Sequence, residues 1–443
     1  MITRRTFVNG TLLSSAVLAG LSQKSSWAQS KEVVFLTEEG TPVFREFWTE
    51  TVRDFEKQTG IKVRVEYLSI DMGLNRRIGM LLQAGTPPDI TQGYMGSDAY
   101  VLTTRNLLEP MGDIVEYFEQ QMGEKLNENF RIVKDGVDHL VPLWCSAGNM
   151  WYRRDLFESA GISGPPEKWD TFLDAIAKVH SAKVGGTTVG GGKSWCTTSD
   201  FLCLIWGNDA RVTGRDASGK LEIVVDNEQN IDRVAEALLF WKKAAAFSIP
   251  ARDYNCGNLI EAIWSGNAAS APYVGCRQKV ESARKKQPFA KDVMPMQFPW
   301  NRARVSMASF EGLCVFKQSA MKAEAKEFAK FLLTGDRYYK MVQRDPLHNL
   351  PPFKVAATSD KMLDDPFIKE NISRDVFQIV SDVVSRGRTF ASEVTPTNMV
   401  AGPLYGSLEM AVALYNVVYG NVDPHTEIKR LGTALRSVLE KQG

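Results

Sequence analysis

The sequence predicts an α/β protein, and three observations carry the prediction. Short apolar runs alternate with stretches of helical hydrophobic spacing from residue 32 onward. At 443 residues the chain is long enough for two domains with full cores. Apolar residues make up 44% and charged residues 24%, the balance of an ordinary globular protein. The formal charge of +1 sets up no global field that would favour nucleic acid or a membrane surface.

The elements follow in order. "EVVFL" (Glu32–Leu36) is a short apolar run suited to a buried strand. Phe44, Phe47, Trp48, Val52 and Phe55 recur at helical spacing, and Gly60 ends that helix. In "IKVRVEYL", Val63, Val65 and Tyr67 alternate as a strand requires. Ile78, Leu81 and Leu82 mark a second helix, which Pro87 and Pro88 stop before the next strand. This β-α-β-α-β order predicts a parallel sheet with covering helices. "HLVPLWCSAGNMWYRRDLF" is extended and apolar, crosses Pro142, and gives way to a helix around Asp155–Ala160, so it reads as a domain boundary. A proline-rich link then enters an amphipathic helix carrying Trp169, Phe172, Leu173, Ile176 and Val179. Helices are expected near 198–207 and over Ile231–Phe247, and "GNAASAPYVG" reads as a helix end leading into a strand. "LCVFK" is a further strand, followed by a helix with Met321, Ala325, Phe328, Phe331 and Leu332. The tail is helical, marked first by Leu404, Leu408, Ala411 and Tyr415 and then by Ile428, Leu431, Leu435 and Leu439.

The N-terminus reads as an address. Arg4 and Arg5 precede Phe7, an uncharged apolar run spans Leu12–Leu21, and Ser26 and Ala28 flank Trp27. That is the layout of a signal peptide over residues 1–28, of the twin-arginine type, leaving a mature start at Gln29. Its removal takes Arg4, Arg5 and Lys24, leaving 50 basic and 52 acidic residues and a net charge of −2. No later run of 18 or more apolar residues occurs, so a soluble protein outside the cytoplasm is expected. The six cysteines form no C-x-x-C pair and no Cys/His ligand cluster, which argues against a structural zinc site. The twin-arginine route carries folded proteins, so the cysteines are expected to be buried free thiols.

The stretch "GGTTVGGGKSW" (185–195) approaches a phosphate-cradling loop but misses it by one position. Five residues before Gly192 stands Thr187 where that loop needs glycine. It reads as a flexible glycine loop. Enzyme signatures are sparse: the four histidines form no H-E-x-x-H helix, and there is no G-x-S-x-G elbow. Adjacent Glu38–Glu39 and Asp364–Asp365 are weak signs of glycoside hydrolysis, which needs two carboxyls facing each other across a cleft. Adjacent Tyr338–Tyr339 suit ferric-ion binding less well than packing. No cofactor and no metal is indicated. The residues point to binding rather than chemistry.

Several segments then resemble, in order, the family-1 extracellular solute-binding proteins of ABC importers, the group with maltose-binding-like members. They are "FEKQTGIKVRVE", "LLQAGTPPDI", "VPLWCSAGNMWYRRDLFESAGISGPPEKWDTF", "WSGNAASAPYVG", and "EAKEFAKFLLTGD" with "NLPPFKVA". The resemblance implies a two-lobe periplasmic-binding-protein fold of type II, with discontinuous domains on a hinge. Lobe I would hold 29–141 plus 304–345, and lobe II 142–303 plus 346–443. Crossings would fall near Val141–Leu143, Asn301–Val305 and Pro346–Pro352. It also implies a monomer that delivers a small solute to permease subunits in the inner membrane, with no nucleic-acid partner. Positions carried over from the family as ligand contacts are Glu38, Thr41, Gln92, Tyr94, Trp144, Asn149, Trp195, Tyr273, Arg277, Trp300, Phe310 and Glu311. Trp195→Ala and Trp300→Ala are each expected to weaken binding. Cys276 stands where many sugar binders of the family carry Trp, and Arg277 beside it could pair with an anion. A neutral sugar or oligosaccharide is the first expectation and an anionic sugar derivative the second. An exported carbohydrate-active hydrolase or lyase is the alternative from another class.

Overall fold

The computed structural model describes residues 32–68, 74–93 and 95–442; the expected signal peptide and the start at Gln29 lie outside the described residues. Seven strands form the central sheet: β1 (Glu32–Thr37), β2 (Lys62–Tyr67), β3 (Ile90–Gly93), β4 (Val141–Arg153), β5 (Ser270–Val274), β6 (Val293–Gln297) and β7 (Ala308–Val315). Their order is β6-β4-β7-β3-β1-β2, with β5 also paired to β4. As the alternation predicts, β1 lies parallel between β2 and β3. The sheet as a whole is mixed, because β7 returns antiparallel beside β3 and β4.

The first half is built as its apolar spacing dictates. Helix Pro42–Thr59 begins with proline, whose missing N–H is no loss there, and ends on Gly60 at φ 75°. Its buried face carries Phe44, Phe47, Trp48 and Phe55. The Phe55 ring lies 5.2 Å from Phe328 and 5.1 Å from Phe331, both on helix Lys322–Leu333. Residues far apart in sequence thus share one core.

Strand β4 joins the two halves. All thirteen of its residues are buried. Its first part, Val141–Ala147, pairs with β7, and Gly148–Arg153 runs between β5 and β6. The register slips between Glu311 and Gly312, where a Cβ on Gly312 would stand 2.3 Å from the Val141 carbonyl oxygen. In the second half, every residue of Cys196–Gly207 is buried, so helix Trp195–Gly207 is the axis of that core. Helices Ile231–Ala245 and Glu409–Val418 pack against it, and Pro424–Glu440 packs against both of those.

Two expectations need correction. The glycine stretch is not a flexible loop, because residues 185–191 are buried. A Cβ on Gly186 would meet the Ile176 carbonyl oxygen at 2.1 Å, and one on Gly191 the Arg252 carbonyl oxygen at 2.4 Å. These glycines allow backbone to touch backbone. The thiols are not all free either: Cys196 and Cys256, Cα atoms 5.6 Å apart, form a disulfide. Each stands in the first turn of its helix, and folding brings those helix starts together. Cys145, Cys203, Cys276 and Cys314 are buried free thiols, as expected. Among the described residues no helix is long and apolar enough to cross a membrane.

Candidate functional site

A cavity of about 600 Å³ opens where the two halves meet. From the β1 side it is lined by Glu38, Glu39 and Thr41, and from β7 by Ser309 and Glu311. Across it stand Lys193, Trp195, Tyr273 and Arg277, with His348 from the segment that follows helix Asp336–Val342. Period-two alternation explains β7: Ser309 and Glu311 face the cavity, while Phe310 turns away to pack 5.7 Å from the Phe130 ring. The Trp195 and Tyr273 rings lie 6.2 Å apart, giving the wall an aromatic patch. The disulfide anchors that patch, since Cys256 is itself in the wall and Cys196 follows Trp195.

Of the positions expected to contact ligand, Glu38, Thr41, Trp195, Tyr273, Arg277 and Glu311 therefore come together. Of the remaining positions, Gln92, Trp144, Asn149, Trp300 and Phe310 do not reach the wall. Gln92 lies behind it, accepting from the Thr37 hydroxyl at 2.6 Å and donating to Glu311 at 3.0 Å. Trp144, opposite Glu311 in register, is buried near Phe44. Asn149 is fully buried and donates to the Ala147 carbonyl at 3.0 Å and to Cys276 Sγ at 3.0 Å. Trp300 is held elsewhere, with Lys168 Nζ 3.4 Å above its ring and its backbone paired to Glu167 and Trp169. Tyr94 lies outside the described residues.

The charged centre is Arg277, at the start of helix Arg277–Arg284. Gly275 at φ 142° and Cys276 at φ 61° turn the chain off β5 and aim this side chain inward. Its Nε donates to Asp345 at 2.6 Å and its Nη2 to Glu39 at 3.3 Å. Burial pushes the Glu39 carboxyl up to about 8, against the pull of Arg277. Burial likewise raises Glu311 to about 7, opposed by Arg277 and by the Gln92 hydrogen bond. Burial is the largest single influence on Asp345, but the neighbouring cationic groups together, Arg277 foremost, outweigh it and hold that carboxyl below its ordinary range. His348 bonds the Gly275 carbonyl through Nδ1, and burial together with Arg277 lowers it to about 3, so the ring is neutral. The guanidinium is thus already answered by the Asp345 carboxylate and bonded to the Glu39 carboxyl. The wall as a whole offers hydroxyls, carboxyls and aromatic faces.

Glu39, Ser309, Asp345 and His348 escape the sequence-level selection. Ser309 was open to discovery from Glu311 by strand alternation; His348 lies within the expected Pro346–Pro352 crossing, and Asp345 directly precedes it. Glu39 was visible only as half of an acid pair. Tyr338 packs as expected, its hydroxyl donating to the Leu143 carbonyl at 2.7 Å. Among the described residues no group of three or more His, Cys, Asp or Glu could hold a metal ion.

Comparison with known proteins agrees with this architecture. Three solved structures illustrate the shared fold, each at 18% identity or less. A solute-binding protein of Thermotoga lettingae bound with α-D-tagatose gives a TM-score of 0.76 at 18% identity, covering 93% of this chain and 100% of that one. The ribitol-bound solute-binding protein of Agrobacterium radiobacter K84 gives 0.74 at 14%, covering 92% and 98%. The maltose-bound MalE3 of T. maritima gives 0.71 at 18%, covering 92% and 100%. In sequence, a protein of Brucella abortus (strain 2308) named as a binding protein is 25% identical over 361 residues, covering 78% of this chain and 82% of that one. YcjN of Escherichia coli K12, named as an ABC transporter periplasmic-binding protein, is 21% identical over 450 residues and covers 100% of both. The profile of the bacterial extracellular solute-binding proteins matches residues 50–370. With well over half its length matched, this α/β chain of the two-lobe type II fold belongs to the bacterial extracellular solute-binding proteins, which bind their solutes and do not transform them.

Proposed function

We propose that this protein captures a neutral carbohydrate or polyol in the periplasm and delivers it to the permease of an ABC importer. The carrying observation is the cavity of about 600 Å³ between the halves, within the range of small-molecule sites. Its wall pairs the Trp195 and Tyr273 rings with the hydroxyls and carboxyls that sugar hydroxyl groups use. An anionic ligand is disfavoured, since Arg277 is engaged by Asp345 and Glu39 and would have to exchange them. The tagatose, ribitol and maltose bound by the structural neighbours support the same class.

In this reading residues 1–28 are removed on export, and 29–141 plus 304–345 move as one lobe against 142–303 plus 346–443. Such closure needs only a few residues of the crossings to change dihedral angle. The solute favours the closed arrangement to the extent that it binds it better than the open one. Calorimetry of the chain from Gln29 against neutral sugars, polyols and acid sugars tests this. A neutral member should bind, and Trp195→Ala should weaken it about tenfold or more, as loss of an aromatic anchor does. Trp300→Ala should leave it unchanged, because Trp300 lies under Lys168 away from the wall. Selective binding of acid sugars, or indifference to Trp195→Ala, would defeat the reading.

A further inference from the structure

A second, polar groove of about 580 Å³ shares no residue with the cavity just described. Three arginines border it: Arg211, Arg386 and Arg388. Asn129 closes it from the other side, reaching the Gly387 carbonyl through its Nδ2 at 3.5 Å. The backbone presents these side chains firmly. Arg388 donates its N–H to the Ser306 carbonyl at 3.1 Å and accepts from Ala308 N–H at 2.8 Å, which ties it to the start of β7. A Cβ on Gly387, between Arg386 and Arg388, would stand 2.8 Å from the Ala308 Cβ, so the chain is pressed against the strand there.

The charge balance is one-sided. Among the described residues none of the three guanidiniums has a carboxylate within 4 Å or donates a hydrogen bond. Glu393 lines the groove as well and attracts Arg388, as does Asp209, but both acids are already engaged. Glu393 accepts from the Trp206 indole at 2.6 Å, from Val212 N–H at 2.9 Å, and from the Thr213 N–H and hydroxyl at 2.7 and 2.5 Å. Asp209 is paired with Arg233 at 2.6 Å. Arg388 rests over the Trp206 ring, 5.5 Å from its centroid, and Arg211 adds a like charge beside it. Three like charges converge on a groove whose one lining carboxyl, Glu393, is already taken up by four donors, and an anion answers the remainder.

We propose that this groove binds a small tetrahedral oxyanion, of the phosphate or sulfate class. Guanidinium forks suit such oxygens, and the amide of Asn129 can supply a further donor. Because Asn129 and the arginines come from distant parts of the chain, one anion ties those parts together. The inference is independent of the solute proposed for the cavity.

Calorimetry and phosphorus NMR with inorganic phosphate test it on the full exported chain. Phosphate should bind saturably at one site and weaken as sodium chloride is raised. Arg211 and Arg386 are exposed, so Arg211→Gln and Arg386→Gln should keep the melting temperature of the anion-free protein. Each should weaken phosphate at least tenfold, while Trp195→Ala in the cavity leaves phosphate binding as it was. Sulfate competing equally identifies a general oxyanion site, and a sugar phosphate binding tighter than phosphate identifies an organic source; both support the proposal. Phosphate affinity unchanged in Arg211→Gln and Arg386→Gln overturns it, as does binding of an oligoglutamate peptide with no binding of phosphate or sulfate.

Discussion

Replacing Arg277 with Gln probes the charged centre of the cavity. The change deletes a guanidinium 2.6 Å from Asp345 and 3.3 Å from Glu39, both carboxylates being buried. Removing one partner of a buried ion pair costs about 3–5 kcal/mol, because the other is left charged in a poor solvent. The two acids should not share that cost equally. Glu39, already pushed up to about 8 by burial, can take a proton and escape. Asp345 is held below its ordinary range by Arg277 and has further to climb. The loss should therefore sit near 3 kcal/mol at pH 6 and grow toward pH 8.5, where neither acid is readily neutralised. Urea unfolding at the two pH values reads it, and Asp345→Asn added to Arg277→Gln should recover much of the loss. A loss below about 1 kcal/mol would refute the reasoning, since that is the range of a solvent-exposed pair. So would a double variant no more stable than Arg277→Gln alone.

Stability should fall as pH rises from about 6.5 to 8: Glu39 and Glu311 have folded pKa values, about 8 and about 7, above those of the unfolded chain, so their protonated forms favour the folded state and are lost on titration. His348, lowered to about 3, acts in the opposite sense but only below its unfolded value, so Glu311→Gln should flatten the decline above pH 6.5 in a melting-temperature series. Reduction of the Cys196–Cys256 disulfide, which closes a separation of 60 residues, should cost about 4 kcal/mol by chain entropy, measured by denaturation with and without reductant. It should also loosen solute binding, because both cysteines hold helices that carry wall residues. Gly186→Ala should lose about 3 kcal/mol or more, or fail to fold, since its Cβ would overlap the Ile176 carbonyl; wild-type unfolding behaviour would show that the stretch can yield.

Much of this protein was legible before any coordinates. Hydrophobic periodicity alone places helix Pro42–Thr59, the parallel β1–β2–β3 unit and helix Pro424–Glu440, because burial of one face leaves its period in the chain. It misses the break at Leu408, whose φ of 60° divides the expected helix over Leu404–Tyr415 into Ala401–Gly406 and Glu409–Val418. The glycine stretch shows the limit. Glycine is required both where backbone must bend freely and where backbone must touch backbone, and only packing against Ile176 and Arg252 distinguishes the two. The disulfide shows it again, since six cysteines carry no record of which pair will meet.

The candidate site divides along the same line. The sequence by itself determined the class of protein and the segments from which a wall could be built, since those are properties of local pattern and order along the chain. Tertiary structure decided which side chains face one another. Alternation on β7 turned Glu311 inward and Phe310 away, and packing took Trp144 and Asn149 into the core. It also joined Glu39, Arg277 and Asp345 across the seam. Ion pairing and burial depend on distance in space, and residues 39, 277 and 345 become neighbours only once both halves have folded and met.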